Sequence, residues 1–189
     1  MLPHQQNVHR IAVEGFEYLW DMSGELVQDG TVPASEAVDD RLIAAHGLSR
    51  PTAVARQNSR LGGRTLGPVE VVDRSARLSY DRGHVIGHAL GGVLDLNIIP
   101  QTSAVNRGGI WRQMERYCQK HPGTYFFCHP IYTGLCSHPA EIEFGVLRPD
   151  GSLWANTFQN YGTIKELETF ERLYREKIGN LAPAGKDVQ

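Results

Sequence analysis

The chain has 189 residues, 41% hydrophobic and 21% charged, with a formal net charge of −2. That is long enough for one well-cored domain and short for two. No apolar run approaches a membrane span, and the opening MLPHQQNVHR lacks the apolar core of a secretory signal, so export by that route is not expected unless the chain is cut from a longer one. Three cysteines, Cys118, Cys128 and Cys136, argue against a disulfide framework.

In chain order, residues 11–28 fit a hairpin, with Phe16, Tyr18 and Trp20 alternating and Met22-Ser23-Gly24 as the turn. Ser35 is placed to cap a short helix that stops at His46-Gly47. Residues 48–66, rich in Ser, Pro, Asn, Arg and Gly, read as loop. GPVEVV (67–72) and ARLSY (76–80) read as strands that deliver the chain to DRGHVIGHALGG (81–92). DLNIIPQTSAVNRGG follows as a long irregular stretch with Pro100 inside it. Ile110 to Lys120 has helical spacing, with Trp111, Met114 and Cys118 on one face, and His121-Pro122-Gly123 ends it. TYFFCHPIY (124–132), EIEFGVL (141–147) and LWANTF (153–158) read as strands, with a turn at Arg148–Gly151. A capping box of Thr163 and Glu166 opens a last helix whose apolar positions are Ile164, Leu167, Phe170, Leu173 and Tyr174. The tail APAGKDVQ is expected to be mobile. There is no internal repeat, and the pattern predicts an α+β fold with a mostly antiparallel sheet.

Charge is unevenly spread. Arg50 to Arg116 holds ten arginines, no lysine and five acids, a net +5 that leaves the remainder at −7. A basic middle in an acidic frame suits an anionic ligand held at one site. Within it, His84 can act as a base near neutral pH, and Arg82 can hold a phosphate with paired donors. Asn97, Gln101 and Asn106 offer neutral amide oxygens and Glu115 a carboxylate, donors that suit a hard cation such as Mg²⁺ retaining several waters. A base, a cation ligand, a carboxylate for the cation's water shell and arginines for the phosphate are the parts needed to hydrolyse a phosphodiester. Asp81 stands where a helix or turn begins and reads as a capping residue.

The series DRGH (81–84), N-x-x-P-Q (Asn97, Pro100, Gln101), Asn106 and W-x-x-x-E (Trp111, Glu115) resembles the DNA/RNA non-specific endonuclease family of ββα-metal nucleases. PIY (130–132) and F-x-N (Phe158, Asn160) are similar to later pieces of that family, so the resemblance runs over roughly residues 65–162. It implies an α+β fold whose central sheet, mostly antiparallel, carries a ββα-metal finger with flanking helices. It implies a nuclease domain over 65–180, an N-terminal hairpin and helix region over 1–64 packed on or leading into it, and a mobile tail over 181–189. By position, it implies His84 as general base, Arg82 on the phosphate, Asn106 as direct ligand to Mg²⁺ (Mn²⁺ as substitute), Asn97 as hydrogen-bonding support, and Glu115 on metal-bound waters. Arg74, Arg77 and Arg107 are the candidate substrate-binding arginines. Gly108-Gly109, between Asn106 and Glu115, departs from the expected helix start and puts the role of Glu115 in question.

The resemblance implies Mg²⁺-dependent cleavage of DNA and RNA with little sequence preference, since backbone phosphates carry no sequence information. Aromatic residues do not interleave with the arginines, so base stacking is not indicated. Three other readings compete. One is a catalytically inactive nucleic-acid-binding module. Another is a zinc-structured interaction domain built on Cys128, His129, Cys136 and His138. The third is a metal hydrolase that pairs His84 with His88, four residues on at helical metal-pair spacing. A non-specific nuclease endangers its maker, which points to a toxin or effector domain exported by a specialised secretion system and held by an immunity protein, with a plainly secreted nuclease as the runner-up.

Overall fold

A computed structural model describes residues 7–22, 40–50, 80–92 and 96–181, with side chains to 176. The first strands are β1 (Val8–Val13) and β2 (Phe16–Asp21), joined by a tight turn in which Glu14 and Gly15 both have positive φ, 53° and 83°. That left-handed pair is what a two-residue hairpin needs to match strand twist. The hairpin seen in this region turns at Glu14-Gly15; residues 23–28, and so Ser23-Gly24 of the turn expected at Met22-Ser23-Gly24, lie outside the described residues. Phe16 and Tyr18 are fully buried and Trp20 nearly so, as their alternation predicts.

β3 (Arg41–Leu48) corrects the expected helix ending at Gly47. It lies between β2 and, in the same sheet, β6 (Tyr125–Ile131), and bonds to both. An Ala-rich run carries little β preference of its own, and pairing on both edges decides the outcome. β7 (Glu141–Leu147) and β8 (Leu153–Gln159) follow as the sequence indicates, and the six strands run in the order β1-β2-β3-β6-β7-β8, every pairing antiparallel.

Between β3 and β6 the chain builds a second, two-stranded sheet from β4 (Tyr80–His84) and β5 (Ile98–Thr102). Two short helices follow, α1 (Ser103–Arg107) and α2 (Gly109–Lys120). The stretch containing Pro100 is thus strand and helix rather than irregular. Pro100 is tolerated because it pairs with Arg82 on a strand that has no neighbour on its outer edge among the described residues. Its carbonyl accepts from Asn160 Nδ2 at 2.9 Å, so its missing N–H falls on that same outer edge. Of the strands expected at 67–72 and 76–80, only Tyr80 lies within the described residues. Of the tail expected over 181–189, Leu181 closes the last helix and the rest lies outside the described residues, as does the strand at 67–72.

α2 lays Trp111, Met114 and Cys118 on the sheet, as its periodicity predicts, with the Trp111 ring 4.7 Å from Phe144. α3 (Ile164–Leu181) packs Phe170 and Tyr174 around Cys136. Ile164, expected on its apolar face, is 61% exposed because it stands at the first residue of the helix. The architecture is α+β, with a mostly antiparallel sheet carrying a ββα unit and flanking helices.

Candidate active site

β4 projects Arg82 and His84 two residues apart, on one face of the strand by its two-residue period. Gly83 between them has no side chain because Gln101 takes the space; a Cβ there would lie 2.2 Å from the Gln101 amide oxygen. His84 is 8% exposed. The turn after it, Val85-Ile86, is fastened by Asn97, which is fully buried. Asn97 Oδ1 accepts from the Ile86 N–H at 2.7 Å, and its Nδ2 donates to the Ile86 carbonyl at 2.6 Å. The Val85 N–H donates to the Asn97 carbonyl at 2.9 Å. One side chain thus satisfies both backbone groups of a buried residue that no strand partner reaches.

α1 carries Asn106. Its Nδ2 donates to Asp81 Oδ2 at 2.9 Å, which leaves Oδ1 as its available donor atom. Arg107 forks the same carboxylate, with Nε donating to Oδ2 at 2.7 Å and a second nitrogen to Oδ1. Burial works against the charge of Asp81, but hydrogen bonds from Arg107, Asn106 and Ser103 outweigh it and hold the carboxyl below its ordinary range. Asp81 is therefore not a helix cap: it lies within β4 and ties α1 to that strand. Arg107, a candidate for substrate, lines the same cleft but is engaged by Asp81.

α2 carries Glu115, 7% exposed, with its carboxylate against the backbone of Gly87; a Cβ on Gly87 would lie 2.7 Å from Oε1. Burial raises its pKa, and the ion pair with Arg112, one turn earlier, opposes that rise. Gly108 is extended and Gly109 has φ 61°, so the pair breaks the helix in two, with Asn106 on the first piece and Glu115 on the second.

These elements enclose a cleft of about 600 Å³ lined by Arg82, His84, Asn106, Arg107 and Glu115, together with His88 and Arg112. The structure brings together five of the residues singled out from the sequence and sets Asn97 behind them; Arg74 and Arg77 lie outside the described residues. His88 opens a 3₁₀ turn (His88–Leu90) while His84 ends a strand, so the two are not a helical i,i+4 pair. Among the described residues, no three His, Cys, Asp or Glu side chains group to hold a metal ion. Cys128 is buried in the core with its thiol pushed well up by desolvation. His138 Nε2 shares a hydrogen bond with the Asn160 carbonyl at 3.1 Å, and its ring stacks on Phe170 at 3.9 Å. The zinc-domain reading has no site to stand on there.

Neither Arg112 nor Asn160 carries an assigned role in the sequence alone. Arg112 could have been found at i−3 from Glu115. Asn160 could not be assigned a job without the fold. Fully buried at the end of β8, it accepts from the Thr102 N–H at 2.8 Å and donates to the Pro100 and Pro139 carbonyls, both at 2.9 Å. Its amide mimics a peptide unit and completes the outer edge of β5, docking the small sheet on the large one.

The model of a family described as DNA/RNA non-specific endonuclease matches residues 41–143. No curated protein matches the chain. Among solved structures, one of Sda1 nuclease with bound zinc ion is similar at 14% identity, covering 86% of this chain and 91% of that one, with a TM-score of 0.45. An extracellular endonuclease is similar at 13% identity, covering 87% and 84%, with a TM-score of 0.40. An extracellular nuclease is similar at 14% identity, covering 86% and 89%, with a TM-score of 0.39. Among the described residues, no helix is long and apolar enough to cross a membrane.

Proposed function

Since the chain belongs to the DNA/RNA non-specific endonuclease family, we propose that it hydrolyses phosphodiester bonds of DNA and RNA with little sequence preference, with His84 as general base. The observation that supports this reading is the meeting of Arg82, His84, Asn106 and Glu115, from three separate elements, in one cleft.

The donor set fits a hard divalent cation. Asn106 contributes a neutral amide oxygen and Glu115 a carboxylate, and such a sparse set suits an ion that keeps most of its waters, as Mg²⁺ does. Asn106 would hold the ion directly and Glu115 through water. When bound, the cation supplies neutralisation of the charge that grows on the phosphate and leaving oxygen.

The chain's own residues do the rest. Asn106 adds no negative charge, and Asp81 fixes its amide. Arg82 binds a phosphate oxygen. His84, in its neutral form, takes the proton of the attacking water, and Asn97 holds the turn that follows it. Since an imidazolium cannot accept a proton, cleavage should fall in mildly acid buffer.

A nuclease of this kind must act away from the genome of its maker. We infer delivery outside the producing cell, as a toxin or as a secreted nuclease, with an acidic inhibitor seated on the cleft as the partner that charge favours. Replacing Asn106 by Ala tests the metal assignment. Activity should fall by about tenfold to a hundredfold or more, since loss of even an outer-shell support costs about that much, and the Mg²⁺ concentration for half-activity should rise. An unchanged Mg²⁺ requirement contradicts the assignment.

A further inference from the structure

The solvent face of α2 carries its charge in a line. Arg112, Arg116 and Lys120 recur at every fourth residue, on neighbouring turns about 6 Å apart, and all three are exposed. Glu115 is the one acid in the helix sequence, and it is buried against Arg112. The line starts in the cleft, where Arg112 and Gln119 form part of the wall. Arg116 is near enough to Glu115 to favour its ionised form, though less than Arg112 does.

Arg148, on the turn between β7 and β8, meets α2 at Tyr117, the residue after Arg116. The Arg148 guanidinium lies over the rings of Tyr117 and Trp154, 5.7 and 5.1 Å from their centroids, and His121 packs on Tyr117 at 4.5 Å. Stacking holds a guanidinium by its faces while its N–H donors stay around its edge. Asp150, on the same turn, accepts from the Ser152 N–H at 2.8 Å. Among the described residues, Arg116, Lys120 and Arg148 form no salt bridge; Arg148 is held by its stacking on Tyr117 and Trp154 and lies near enough to Asp150 to favour that carboxylate.

We propose that Arg112, Arg116, Lys120 and Arg148 form a track for the sugar–phosphate backbone of a polynucleotide, carrying the strand from the cleft along α2 to the β7–β8 turn. The proposal rests on the nuclease reading and deepens it: the substrate is a long polymer gripped beyond the bond that breaks. The four cations outnumber the two acids beside them, Glu115 on Arg112 and Asp150 near Arg148, and that excess of positive charge matches a polyanion. Contacts of that kind bind without reading sequence.

The test is the triple variant Arg116→Ala/Lys120→Ala/Arg148→Ala, which leaves the cleft residues in place. Binding of a fluorescein-labelled DNA duplex of about 30 base pairs, roughly three helical turns, is measured in EDTA over a salt series. Each phosphate contact adds about 0.9 to the slope of log affinity against log salt, so the slope should become shallower by about two to three. Affinity at low salt should fall by about tenfold or more. Turnover of a small chromogenic phosphodiester with Mg²⁺ by Lys120→Ala/Arg148→Ala, which keeps Arg116 beside Glu115, should match that of the unaltered protein, and an unchanged urea midpoint shows that the triple variant folds. The charge-preserving variant Arg116→Lys/Arg148→Lys should keep the slope. An unaltered slope and affinity in the triple variant overturns the track, as does a loss on the small diester equal to that on duplex. If the unaltered protein binds duplex through the line yet cleaves neither substrate with any divalent cation, the catalytic reading fails and the track stands.

Discussion

The six-stranded sheet and the β4–β5 finger are held by different forces. The sheet is an apolar object: Phe16, Phe126, Ile142, Phe144 and Val146 are fully buried in it, and long ladders satisfy its backbone. The finger is short, and much of its backbone is satisfied by side-chain amides, from Asn97 at the turn after His84 and from Asn160 along β5. Apolar attraction has no direction, whereas a buried amide bonded on both sides ties two segments in one orientation. The scaffold is therefore built for stability and the finger for placement, and the residues of the cleft sit on the second kind of structure.

Breaking one half without the other separates the two. Phe126→Ala removes a ring from the centre of the sheet and should cost about 3–5 kcal/mol, read by urea denaturation, with activity per folded molecule unchanged. Asn160→Ala strands the Thr102 N–H and the Pro100 and Pro139 carbonyls, and should cost about 3 kcal/mol. Unlike the core variant, it should also lower activity per folded molecule, because α1 starts directly after Thr102 and carries Asn106. If the two variants lose stability alike and neither loses specific activity, the finger is not placed by Asn160.

Acid should loosen the polar side first. Burial brings His138 down to about 4, although its hydrogen bond with the Asn160 carbonyl opposes the shift. An unfolded histidine titrates near 6.5. Between those values the unfolded chain holds a proton that the folded one lacks, so stability falls as pH falls. By pH 5 the loss from this group should be about 2 kcal/mol. Denaturation midpoints for the native chain and for His138→Gln measure it, and the variant should show a flatter dependence over pH 5–7.

How much of this was readable follows the same division. β6, β7, β8 and α2 declared themselves because burial imposes periods of 2 and 3.6 on their apolar residues. β3 did not: its Ala44-Ala45 and Gly47 say little alone, and its state is set by partners far along the chain. β5 was hidden by Pro100 and by polar residues whose bonds go to Asn160, sixty residues away in the case of Pro100. The residues of the cleft were legible as residue types in an ordered series. Their supports, Asp81 under Asn106 and Gly87 beside Glu115, were not, because each depends on which segments the fold brings together.

The most direct test of the central claim is degradation of plasmid DNA with Mg²⁺, with EDTA, and by the His84→Ala variant with Mg²⁺. The native chain should cleave with Mg²⁺ and not with EDTA. The variant should be slower by about 10²–10⁴-fold, the usual contribution of a general base, while unfolding at the same urea concentration as the native chain. Cleavage by His84→Ala at the native rate would contradict the assignment of the base, and no cleavage by the native chain with any divalent cation would contradict the hydrolytic function itself.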